Sequence, residues 1–164
     1  MLVATASCVL GTACVDTPTP PETEVPFEAR IDGETFVAVA TDFSTYHSGT
    51  SLLITGIRQT GPDTYRQVSF QLENWHGPGT YVLTAPDTNG AFGYVSDQKQ
   101  DFTDLGHWMT TAATPGQAIV TEFYPAAQII KGTFSFVARS DSGQPVQSLT
   151  VTAGRFAGTF YIDP

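Results

Sequence analysis

From residue 26 onward, apolar and polar side chains alternate with a period of two, the pattern of strands that keep one face dry and the other wet. In Thr64-Tyr65-Arg66-Gln67-Val68-Ser69-Phe70-Gln71-Leu72-Glu73, the apolar Val68, Phe70 and Leu72 alternate with Gln67, Ser69 and Gln71. The same rule turns Ile130, Phe134 and Phe136 inward within 128–139, and Phe156, Phe160 and Ile162 inward within 155–163. Gly132 and Gly158 share those inward faces, where a missing side chain admits a large neighbour or marks a bulge. Further runs rich in β-formers cover 26–31, 34–40, 50–57, 79–84, 91–96, 106–112, 117–123 and 146–152. Asp32-Gly33 between two short apolar runs predicts a type I′ hairpin, which needs positive φ at both central residues. Gly61-Pro62-Asp63, Asn89-Gly90 and Ser142-Gly143 mark further turns. Thr152-Ala153-Gly154-Arg155 reads as a tight turn joining the last two strands, with Gly154 as its positive-φ residue. About ten strands at turn spacing, with no long helical period, predict an all-β fold: an antiparallel β-sandwich or a squashed barrel.

The N-terminus breaks this pattern. A short apolar run from Leu2 to Ala13 ends in Gly11-Thr12-Ala13-Cys14 and gives way to a polar stretch holding Pro18, Pro20, Pro21 and Pro26 with Asp16, Glu22 and Glu24. Small residues before a cysteine leave the backbone open to a signal peptidase, and the cysteine then becomes the lipidated first residue. Residues 1–14 are therefore expected to be a signal and lipobox segment with lipidation at Cys14, and residues 15–26 a disordered spacer. A single β-domain over residues 27–164 completes the expected organisation. Cys8 after Ala6-Ser7 is a competing acceptor. No Lys or Arg precedes Arg30, so Met1 reads as lying inside a longer signal, and Gly11 stands where such signals carry Leu, with Leu10 one residue away. The expected location is the cell envelope, as an outer-membrane lipoprotein.

Composition narrows the function classes. Both cysteines fall in the signal region, so the folded domain forms no disulfide and no thiolate metal site. Sixteen acidic against seven basic residues give a net charge of −9, a surface that repels phosphate backbones and argues against nucleic-acid binding. No later segment approaches the roughly 18 apolar residues of a spanning helix, so the expected membrane contact is the lipid.

Candidate chemistry is sparse. His47, His76 and His107 are not spaced as metal ligands, and no G-x-S-x-G elbow occurs, so no catalytic residue is assigned and the domain is expected to be non-enzymatic. The stretch from Asp97 through Asp101 to Asp104, and Asp87-Thr88-Asn89-Gly90, read as loops with hard oxygen donors of the kind calcium accepts, although Lys99 opposes a cation in the first. No other cofactor is implied. A glycoside hydrolase would need a carboxyl pair that spacing in an all-β chain cannot establish. Aromatic residues offer a third chemistry: Trp75 at a loop and Trp108 after the acidic stretch are the expected exposed stacking platforms for a sugar ring, with Tyr94 among the supporting tyrosines. The expected role is binding or assembly with an unknown protein or glycan partner; the alternatives are a carbohydrate-binding module, with or without calcium, an acid-pair hydrolase, or a structural subunit with an open edge strand.

Ile31-Asp32-Gly33-Glu34-Thr35-Phe36, Gly79-Thr80-Tyr81-Val82-Leu83, Ile130-Lys131-Gly132-Thr133-Phe134-Ser135-Phe136 and Thr152-Ala153-Gly154-Arg155-Phe156 occur in that order. This succession resembles an uncharacterised domain-of-unknown-function family of small bacterial lipoproteins, over Phe27 to Asp163. Phe36 stands where that family often has Trp. The resemblance implies a β-rich exported fold and carries no assigned activity and no catalytic residues.

Overall fold

A computed structural model describes residues 25–39, 43–86, 90–140 and 146–162. Cys8, Cys14, the spacer up to residue 24, Asp87-Thr88-Asn89 and Ser142-Gly143 lie outside the described residues, as do the side chains of Tyr46, His47 and Ile162. The chain forms β1 (Phe27–Ile31), β2 (Glu34–Ala38), β3 (Phe43–Ser48), β4 (Ser51–Gln59), β5 (Thr64–Leu72) and β6 (Gly79–Leu83). It continues through β7 (Phe92–Lys99), β8 (Asp104–Met109), β9 (Gly116–Tyr124), β10 (Ile129–Ser140), β11 (Ser148–Thr159) and β12 (Tyr161–Ile162). The one helical element among the described residues is a 3-10 turn at Pro125–Ala127, and no helix there is long and apolar enough to cross a membrane.

Ladder pairing arranges these strands in two layers. One runs β12-β3-β4-β5-β7-β8, antiparallel except for the β12–β3 pair; the other runs β6-β9-β10-β11-β1-β2. Among the described residues two pairs, Arg139 with Met109 and Ser140 with Trp108, join the layers at the β8–β10 corner. On the opposite side the Arg58 guanidinium donates to the Thr35 carbonyl at 2.5 Å and lies over the Phe36 ring. Among the described residues no strand pair joins β2 to the first layer. The sheet is therefore folded over as a sandwich and is not closed into a barrel.

The core lies between the layers, where the period-two pattern placed it. Val68, Phe70 and Leu72 are buried from one side; Ile130, Phe134, Phe136 and Phe156 meet them from the other. Phe70 packs on Phe134 and Phe156 with ring centroids 5.1 and 5.4 Å apart. Asp32 and Gly33 both have positive φ, 50° and 87°, as the hairpin between β1 and β2 requires.

Two local expectations are corrected. Residues 152–155 do not form a turn: β11 runs unbroken from Ser148 to Thr159, and Ala153, not Gly154, has positive φ. The register of β11 against both neighbours shifts there, so the local kink is a bulge within a strand. Gly154 is needed for close approach, because a Cβ there would sit 2.6 Å from the Phe134 carbonyl oxygen and 2.7 Å from its ring. The strand β3 is an addition that the alternation concealed, since its residue facing Ile54 in the core layer is the polar Thr45.

Candidate functional site

The outer face of the first layer is built by register. Residues 67 and 69 on β5 point away from the core because 68 and 70 point into it. Ser69 lies opposite Tyr94, Gln67 opposite Ser96, and Tyr65 opposite Gln98. Ser96 in turn faces His107, and Gln98 faces Asp104 on β8. Three strands thus present a grid of amides, hydroxyls and aromatic rings.

Near the β7–β8 turn this grid sinks into an open cleft of about 240 Å³ lined by Gln67, Tyr94, Ser96, Gln98, Phe102, Asp104 and His107. Its floor is held by a chain of hydrogen bonds. The Gln67 amide donates to the Tyr94 hydroxyl at 2.7 Å and to Ser69 Oγ at 2.9 Å, and Ser69 donates on to Thr55 Oγ1 at 3.0 Å. The Tyr94 ring stacks on Phe92, centroids 6.1 Å apart, and meets the edge of His107 at 5.7 Å. Gln98 donates to Ser96 Oγ at 3.3 Å. A tyrosine fixed by an amide and two rings is preorganised for stacking, so little side-chain entropy remains to be lost on binding.

The rim is the tip of the β7–β8 hairpin. Phe102 is 86% exposed and has φ of 66°, in the left-handed region that residues with a Cβ avoid. The tip is tied down on several sides: Lys99 N–H donates to the Thr103 carbonyl, Phe102 N–H to the Lys99 carbonyl, and Gln100 N–H to the Asp63 carbonyl, at 2.8–3.0 Å.

The acidic residues do not converge. Asp97, expected in a loop, lies on β7, where Arg66 of β5 grips both its oxygens at 2.7 and 2.6 Å. That hydrogen bond holds Arg66 more firmly protonated, with burial opposing it. Asp101 accepts the Thr103 N–H at 3.0 Å, and this turn, through the Thr103 hydroxyl and N–H, holds its carboxyl below the usual carboxylate value. Asp104 accepts the Gly106 N–H at 2.9 Å. Among the described residues no three His, Cys, Asp or Glu side chains gather as a metal site.

The tryptophans are corrected too. Trp75 and Trp108 are 7% and 9% exposed and belong to the core, not to a binding surface. Trp75 packs against Tyr81 and Phe123, with centroids 5.5 and 5.2 Å away. The neighbouring Tyr81 hydroxyl donates to the Gly77 carbonyl, and burial pushes its phenol above the ordinary value, partly offset by the His76 N–H. Trp108 folds back over Gly106, its indole N–H buried without an acceptor.

The model of a family described as a domain of unknown function, DUF6252, matches residues 23–160. The chain belongs to that family. No curated protein and no solved structure gives a match. In this DUF6252 domain, Tyr94 and Asp104 are the two anticipated site residues that share the cleft; Trp75, Trp108, Asp97 and Asp101 are not among its lining. His107 was legible only as the neighbour of Trp108 in an aromatic pair, and Gln67, Ser96, Gln98 and Phe102 carried no site signal of their own. The wet face of β5 was visible in the alternation, but cross-strand register brings the other residues beside it, and register is set by pairing that a single sequence does not display.

Proposed function

We propose that this protein is an exported, lipid-anchored component of the bacterial cell envelope whose β-sandwich is a non-enzymatic binding domain for carbohydrate. The observation that carries the reading is the cleft on the outer face, where a clamped tyrosine ring sits among amides and hydroxyls that both donate and accept hydrogen bonds. Sugars present that combination: an apolar ring face bordered by hydroxyls. Binding is favoured over hydrolysis because Asp104 is the one carboxylate lining the cleft, whereas glycoside hydrolysis uses a pair. Export and anchoring rest on the Cys14 junction and the proline-rich acidic stretch behind it. The match to DUF6252 is compatible with this reading and names no activity.

The test is a thermal-shift and calorimetric screen of the full chain against soluble glycans. At a hundred times its dissociation constant a ligand should stabilise by about 2.7 kcal/mol, a rise on the order of 5–10 °C. Tyr94→Ala should abolish the shift. A screen in which no glycan binds, or in which Tyr94→Ala binds as well as the parent, would remove the reading. Anchoring is tested by mass spectrometry after expression in a bacterial host: Cys14→Ser should lose a lipid-modified N-terminus that the parent carries.

A further inference from the structure

We infer that the cleft selects uncharged saccharides over acidic ones, and that Phe102 contacts the sugar directly; this rests on the carbohydrate reading above. No Lys or Arg lines the cleft, and its one carboxylate is that of Asp104, which shares the lining with the imidazole of His107. Arg66 on β5 is committed through Nε and one Nη to both oxygens of Asp97 and points to the opposite face of the strand from Gln67. The whole chain carries a charge of −9. A uronate, sulfate or phosphate group entering here would lose its water, meet a carboxylate and find no Lys or Arg to pair with, an arrangement that disfavours an anion. A neutral sugar carries only hydroxyls and amides, and Gln67, Ser96 and Gln98 offer both donors and acceptors to pair with them.

Phe102 supplies the second half of the inference. An aromatic ring 86% exposed to water contributes almost nothing to the core, yet this one stands on the cleft rim in a backbone conformation that glycine would adopt without strain. Strain held in place by surrounding hydrogen bonds and bringing no packing in return points to a role outside the fold. The flat ring on the rim and the fixed Tyr94 ring below are the two apolar surfaces of a cleft otherwise polar. At about 240 Å³ the space is smaller than the roughly 300–1,000 Å³ of pockets that enclose drug-sized ligands, so it accepts a short stretch of a chain that continues along the open face.

The experiment is calorimetry of the full chain with neutral hexose and N-acetylhexosamine oligomers and with oligouronates of matched length. Neutral oligomers should bind at least about tenfold more tightly than oligouronates of the same length. Phe102→Gly should weaken neutral-oligomer binding by about tenfold or more while its melting temperature stays equal or rises, and Phe102→Tyr should retain affinity. Equal or tighter binding of an oligouronate would overturn the selectivity, and full affinity in Phe102→Gly would overturn the contact. If neither class binds, the carbohydrate reading itself fails and this inference with it.

Discussion

At the scale of single residues, close approach and backbone conformation separate positions that look alike in the sequence. Ala153 and Gly154 are neighbours, yet the alanine carries the positive φ and the glycine is pressed against Phe134. Gly154→Ala should therefore destabilise by about 1–3 kcal/mol, the range for overpacking a tight site. Ala153→Gly should instead be neutral or gain up to about 1 kcal/mol, because it relieves the left-handed conformation. Urea titration of both variants checks the contrast, and equal effects would show that the bulge is misplaced. Asp101 gives a pH expectation. Its folded-state pKa is depressed by Thr103, so any stabilisation it brings is present above the unfolded-state value and is lost as pH falls through the folded one. A carboxyl titration by NMR should find it below the usual aspartate value, and Thr103→Val should move it back up.

At the scale of elements, the β5–β7 ladder holds both faces of the first layer in place. Arg66 and Asp97 are directly opposite in this ladder and form a two-pronged ion pair whose side chains are only 25% and 23% exposed. A charge-assisted pair of this geometry is worth more than a surface salt bridge. Arg66→Ala should cost about 1–3 kcal/mol in chemical denaturation, with the loss largely insensitive to added salt. The β7–β8 hairpin was legible as a polar turn near an aromatic residue. Its content was not, because Asp97 belongs to a strand and only residues 100–103 make the turn. Helical or loop-like composition does not decide where pairing stops; the partner strand does.

At the scale of the whole molecule, stability comes from apolar side chains interdigitating between two layers that share few backbone bonds. Phe134→Ala and Phe156→Ala should each lose about 3–5 kcal/mol, since both rings are buried and pack against Phe70. Trp75→Ala should behave like them, as a loss of fold stability of similar size, about 3–5 kcal/mol, and not as a selective loss of ligand. Unchanged melting temperatures in the phenylalanine variants would mean that the inward face is wrongly assigned.

By itself the sequence determined the class of fold, most strand positions, the Asp32-Gly33 hairpin and the phenylalanine core, because each follows from local alternation or from the φ that a turn demands. It did not reveal the continuity of β11 or the strand β3, where a bulge and an inward threonine interrupt the local pattern. Tertiary structure alone decided that the two tryptophans are core and that the aspartates part company. It also decided that Gln67, Tyr94, Ser96, His107 and Asp104 meet on one face. Exposure of an aromatic residue and the neighbours of a polar one depend on which strands pair and in what register, and those are properties of contacts between segments far apart in the chain.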